Sequence, residues 1–166
     1  NLLIPLAVTP SLSDTGIAFN YIGIHAIETD SRFNDGNYEK SSDIKGFETA
    51  RMAGLVTYRS ETLHRERFSR GKKKDGTFEI ESYLKYQGTK LAQRFDANSY
   101  LSLLKAMNTH DIGRDRGGVE AAAKQYEAKM ICVAFTHDLI YPINDIQSFV
   151  HLVRDSHFYM VNTLFG

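Results

Sequence analysis

Asp138 stands just beyond the run Lys129-Met130-Ile131-Cys132-Val133-Ala134-Phe135-Thr136, which holds six apolar residues in a row. An apolar run without alternation predicts a strand buried on both faces, as in the middle of a parallel sheet. In open α/β sheets ligands gather beyond the carboxyl ends of the strands. An acid at this point is therefore placed for chemistry, such as orienting a base or holding a cationic group. Its position equally suits a plainer role, either capping the helix that Pro142 should open or standing as a solvated loop acid. His137 adjoins Asp138, but neighbours in an extended segment point to opposite sides, which argues against a side-chain bond between them.

The other reactive side chains offer less. His25, His64, His110, His137, His151 and His157 show no metal-ligand spacing, and the single cysteine cannot pair, so no metal site is expected. Cys132 lies in the middle of the apolar run and reads as an inert core residue. None of Ser11, Ser13, Ser60, Ser69, Ser82, Ser99 and Ser102 has the Gly-x-Ser-x-Gly surroundings of a strand-to-helix nucleophile. The segment 111–118 is glycine-rich but is no dinucleotide fingerprint. Arg114 and Arg116 could meet phosphates or a partner subunit, and a solvated loop is the simpler reading. Residues 65–76, with the basic run from Arg65 to Lys74, read as a mobile surface loop punctuated by Gly71 and Gly76.

The elements around Asp138 follow from periodicity. Residues 2–8 predict a short buried strand, in which Pro5 sits badly. The turn Thr9-Pro10-Ser11-Leu12-Ser13-Asp14 carries helix-start signals and introduces a helix over about 14–29, with Ile17, Tyr21, Ile24 and Ile27 on one face. Asn34-Asp35-Gly36-Asn37 marks a turn. A second helix is expected over about 45–64, with Phe47, Ala50, Gly54 and Leu55 inside and Arg51 and Tyr58 along it. A third runs over about 78–95 and carries Tyr83, Leu84, Gln87, Leu91 and Phe95. Asp96 reads as the N-cap of a fourth, about 97–108, with Tyr100, Leu101, Leu104 and Met107. A short helix over about 118–125, the strand before Asp138, a helix over about 142–155 and a strand over about 158–163 complete the chain. Strands joined through helices imply parallel pairing, hence an α/β sheet interrupted by a helical subdomain. The division expected is 1–44 and 111–166 as parts of the core, with 45–110 as a helical lid.

Composition sets outer bounds. The chain has 166 residues, 42% of them hydrophobic, enough for a real core. Twenty basic residues balance twenty acidic ones, so charge makes no case for nucleic acid. No apolar stretch approaches a membrane span. One cysteine suits a reducing compartment, and a cytoplasmic location is expected. Both termini run straight into apolar segments rather than polar ends, so the chain is expected to be a portion of a longer protein.

The layout around Asp138 narrows the chemistry. In α/β hydrolases the triad runs Ser, Asp, His in chain order, with the His after the last strand. Here one further helix and strand follow the acid. Specific blocks then resemble the homoserine O-acetyltransferase family. They are Ala26-Ile27-Glu28-Thr29-Asp30, Gly36-Asn37-Tyr38, the twelve residues from Ala50 to Glu61, the eight from Glu81 to Gly88, Arg94-Phe95-Asp96-Ala97-Asn98-Ser99-Tyr100, Asn108-Thr109-His110-Asp111-Ile112-Gly113, and His137-Asp138 through Pro142.

The resemblance implies a partial α/β-hydrolase sheet, mostly parallel, with an inserted helical lid. It also implies a serine that takes an acetyl group from acetyl-CoA, a histidine base oriented by an aspartate, and transfer to the hydroxyl of L-homoserine in methionine synthesis. Asp138 matches the triad acid. Arg51 matches a lid arginine that pairs with the substrate carboxylate, and Tyr58 a pocket tyrosine. A homodimer through the lid helices is implied, with no permanently bound cofactor. His137 stands where the family would have a small residue. The nucleophile and histidine lie outside these residues, so this chain alone should not catalyse. Sister reactions using L-serine or succinyl-CoA, or a non-catalytic association module, are the alternatives.

Overall fold

The computed structural model describes residues 1–165. Its elements are β1 (Leu2–Leu3), α1 (Asp14–Glu28), α2 (Lys45–Thr57), α3 (Glu61–Phe68), α4 (Glu79–Ala92), α5 (Ala97–Asn108), α6 (Val119–Ala123), β2 (Lys129–Phe135), α7 (Ile143–Val150) and β3 (Ser156–Val161). The three strands pair in parallel in the order β1-β2-β3. Met130 lies opposite Ser156 and Phe135 opposite Val161.

Two hydrophobic clusters hold these elements. In the first, α1, α2, α4 and α5 pack around Ile27, Ile44 and Phe47, none of which has any solvent exposure. In the second, α6 and α7 cover one face of β2, where Met130, Cys132 and Ala134 meet Ile146, Phe149 and Val150. The first cluster depends on close helix approach. A Cβ on Gly46 would sit 1.8 Å from the Ala26 carbonyl oxygen, so only glycine lets the start of α2 lie against the end of α1. The same contact repairs a weak cap. Ile44 precedes α2 and offers no capping side chain, and Asp30 accepts from Gly46 N at 2.7 Å instead. Burial raises the Asp30 pKa, but the amides of Gly46 and Arg32 outweigh it and hold the carboxyl below its usual range. Asp96 caps α5 as expected, accepting from Ser99 N at 2.7 Å.

Several sequence expectations are corrected. The segment 2–8 is a two-residue strand and one further bridge at Leu6, not a buried strand. It lies at the sheet edge, where a proline is tolerated. Ala7 takes a positive φ of 44°, and Leu2, Ile4 and Leu6 are exposed. The helix read over 45–64 is two helices. Ser60 adopts an extended backbone and its hydroxyl accepts from Leu63 N, so it caps α3 and ends the preceding run. Arg65 and Arg67 consequently sit on α3, and the loop is shorter than the basic run suggested. On α1 the inner face holds Gly16, Gly23, Ile24 and Ile27, and Tyr21 is exposed, because α2 and α5 pack on the small-residue side. β2 is central in order, yet its burial alternates, since helices cover only one of its faces. α4 and α7 end earlier than periodicity implied, and β3 begins at Ser156.

Candidate active site

A pocket of about 370 Å³ opens where the helical cluster meets the carboxyl end of the sheet. Its walls come from five parts of the chain. Phe19, Asn20 and Gly23 come from α1; Gly54, Thr57 and Tyr58 from the end of α2; Tyr100, Leu104 and Met107 from α5. Phe135, Asp138, Ile140 and Tyr141 come from the end of β2 and the loop after it, and Ala7 from the chain beyond β1.

Asp138 is half-buried on one side of this pocket. Its Oδ1 accepts from Ile140 N and Tyr141 N, both at 2.9 Å. These bonds close a tight loop just before α7 and fix the plane of the carboxylate. Among the described residues Oδ2 accepts no hydrogen bond, so one oxygen is held by the backbone and the other is available. The capping role considered above is not the one Asp138 plays, since α7 starts at Ile143 behind Pro142 and carries no side-chain cap. His137 has a left-handed backbone, φ 67°, and its Nδ1 lies 2.9 Å from the Thr163 carbonyl oxygen. Its ring therefore engages the segment after β3 rather than Asp138.

Tyr58 lies across the pocket on the helical side. Arg51 is not one of the lining residues, but its guanidinium carbon sits 5.1 Å from the centroid of the Tyr58 ring. The stacking holds the cation against a π face at the pocket edge. Gly54 lies between two phenols: a Cβ there would come within 3.4 Å of the Tyr100 hydroxyl and 3.7 Å of the Tyr58 hydroxyl. The two hydroxyls thus converge on one spot, and the absent side chain keeps it open.

The electrostatics follow from this crowding. Burial, and then the neighbouring Tyr58, push the Tyr100 phenol up to about 12, and Arg51 only partly offsets them. Tyr141 is also raised, by burial first and then by the charge of Asp138. Both phenols stay protonated at neutral pH and can donate as well as accept.

Asp138 and Tyr58 are thus brought together, with Arg51 behind Tyr58. Sequence reasoning missed Tyr100, Tyr141 and Asn20. Tyr100 falls on the periodic face of its helix and reads as core. Tyr141 sits inside an apolar-proline stretch with no signal of its own. Asn20 donates to Asn108 Oδ1 at 2.9 Å, tying α1 to α5 beside the pocket, and nothing local announces that pairing. Among the described residues no group of three or more His, Cys, Asp or Glu side chains is arranged to hold a metal ion. No described helix is long and apolar enough to cross a membrane.

Comparison with known proteins places this arrangement among others. No family model matches the chain. A homoserine O-acetyltransferase of Carboxydothermus hydrogenoformans is 38% identical over 164 residues, covering 93% of this chain and 43% of that protein. The structure of homoserine O-acetyltransferase from Bacillus anthracis superposes with a TM-score of 0.89 at 20% identity, over 99% of this chain and 47% of the other. That of an acetylester hydrolase from Corynebacterium glutamicum gives 0.86 at 21% identity, over 100% and 47%. The chain therefore spans less than half the length of the relatives it matches, and its fold is part of an α/β-hydrolase fold.

Proposed function

We propose, from kinship with the homoserine O-acetyltransferases over less than half their length, that the chain forms the acid-bearing and acceptor-binding part of an enzyme that acetylates L-homoserine. The observation that carries the proposal is that Asp138 and Tyr58, far apart in the chain, wall one pocket.

Each residue then has a physical role. Asp138, with Oδ1 tied to two backbone amides, presents Oδ2 to an imidazole N–H. It fixes the tautomer and stabilises the imidazolium that forms as the base takes a proton. The histidine and the serine nucleophile come from residues other than those described. The serine attacks the acetyl thioester of acetyl-CoA and releases the thiol; the homoserine hydroxyl then attacks the acyl-enzyme. Arg51 pairs its planar guanidinium with the acceptor carboxylate. Tyr58 lines the acceptor side and keeps Arg51 in place by stacking. The apolar walls from Leu104, Phe135 and Ile140 exclude water, which favours transfer over hydrolysis.

In this reading residues 45–110 serve as a lid on the parts of the core at 1–44 and 111–166. Association through the lid is supported by a groove of about 870 Å³ between α3 and α4, walled by Val56, Phe68, Phe78, Ile80 and Leu84. The reaction belongs to methionine synthesis and a cytoplasmic setting. The 166-residue chain by itself is inactive for want of the nucleophile.

The test is thiol release from acetyl-CoA by the whole protein, with and without homoserine, together with labelling by a serine-reactive probe. Homoserine-dependent release and a labelled serine are expected. A protein that neither labels nor transfers would sink the enzyme reading, and release indifferent to homoserine would point to hydrolysis.

A further inference from the structure

We infer that Ser60 is a positioning residue that ties the break between α2 and α3 to the segment leaving β3, and so holds the Tyr58 wall of the pocket opposite Asp138; the inference rests on the acetyltransferase reading for its kinetic consequence. Ser60 is only 3% exposed, although it sits at a helix break two residues after Tyr58. Its amide donates to the Phe165 carbonyl oxygen at 3.1 Å and its hydroxyl donates to the Leu164 carbonyl oxygen. The same short segment is gripped from the sheet side. Thr136 Oγ1 donates to the Thr163 carbonyl oxygen at 2.5 Å and accepts from Thr163 N at 2.8 Å. His137 Nδ1 meets that carbonyl at 2.9 Å.

Three consecutive residues, Thr163, Leu164 and Phe165, thus join two walls that no strand or helix connects. One grip, at Thr136 and His137, lies just before Asp138, and the other, at Ser60, lies two residues after Tyr58. The arrangement also explains His137, whose ring holds the bridge beside Asp138 as a small side chain could not. Loss of the Ser60 grip frees the end of α2, where Tyr58 and Thr57 line the pocket, and leaves the Asp138 loop closed by its own amides. The effect should therefore fall on the acceptor and not on the acyl donor.

Ser60 also caps α3, so the test must separate capping from bridging. Aspartate at this position can still accept from Leu63 N but cannot donate to Leu164; threonine can do both. In the whole protein, Ser60→Ala and Ser60→Asp should each raise KM for homoserine roughly three- to tenfold, as loss of one hydrogen bond implies. Acylation by acetyl-CoA, read as the thiol burst without acceptor, should stay within about twofold. Ser60→Thr should restore the wild-type KM. An unchanged KM in Ser60→Ala, a defect in Ala that Asp repairs, or equal losses in acylation and transfer would each overturn the inference. If the wild-type protein transfers no acetyl group to homoserine, the functional reading alone has failed. The bridge is then judged by amide exchange in the whole protein, where Ser60→Ala should speed exchange at residues 58–60 and 163–165, and unchanged rates would refute it.

Discussion

In the helical region Ile27, Ile44, Phe47 and Ala97 are wholly sealed from solvent, whereas in the sheet Leu2, Ile4, Leu6 and Tyr159 are each more than half exposed. The two regions use apolar residues differently. The four-helix cluster encloses its own core, with α1 pressed between α2 and α5. The sheet has one covered face, over β2, and open apolar surface on both flanking strands. The pocket lies between them, one wall anchored in the closed cluster and the other carried by the end of β2. Stability should therefore be most sensitive on the helical side. Chemistry should be most sensitive at the sheet end.

The sharpest check on that contrast is Asp138→Asn in the whole protein. It should lower acetyl transfer by about 10⁴-fold, the scale seen when a triad acid is neutralised, while the melting temperature stays near wild type. Normal turnover in the variant would remove the chemical role from the sheet end. On the helical side Phe47→Ala should cost about 3–5 kcal/mol of unfolding free energy in urea titrations. A loss below about 1 kcal/mol would mean that the helical core is not the stable part.

Arg51→Ala crosses the contrast, being a helical residue whose loss should appear in binding. KM for homoserine should rise roughly tenfold or more, as for a lost charge-assisted pair, with little change in stability; an unaltered homoserine dependence would remove that role. Tyr100 offers a pH test. Its folded pKa of about 12 lies above the ordinary 10.0, so the unfolded chain ionises first. Its contribution to stability is complete below about pH 10 and is lost as pH rises towards 12. Tyr100→Phe should flatten that fall, by about 3 kcal/mol across the whole window, in unfolding measured from about pH 9 to about 12. The same slope in both proteins would refute it. The smallest effect is expected on the open sheet, where Tyr159→Ser should change stability of the chain by no more than about 0.5 kcal/mol. A large loss there would show that β3 is better packed than its exposure implies.

Much of the fold was legible because it rests on local patterns. The helix start after the turn at 9–14, the cap at Asp96 with the helix it opens, and the parallel strands separated by helices all follow from residue types at short spacing. The errors arose where distant partners decide. Periodicity put Tyr21 inward, but the glycines of α1 turned its small-residue side to α2 and α5. A continuous apolar run put both faces of β2 inside, but helices cover only one. The break at Ser60 did have a local signal, a serine followed by Glu61, which the longer helical pattern masked.

From sequence alone Asp138 could be placed at the end of a strand, because a buried strand and the loop after it are written in consecutive residues. The resemblance supplied the roles proposed for Arg51 and Tyr58. Only the tertiary structure decided that Asp138 and Tyr58 share one pocket, that the two carboxylate oxygens divide between backbone amides and open space, and that Ser60 and His137 hold the same three residues from opposite sides. Those facts depend on the distances between elements remote in the chain, which helix packing and sheet register set and no short stretch of residues encodes.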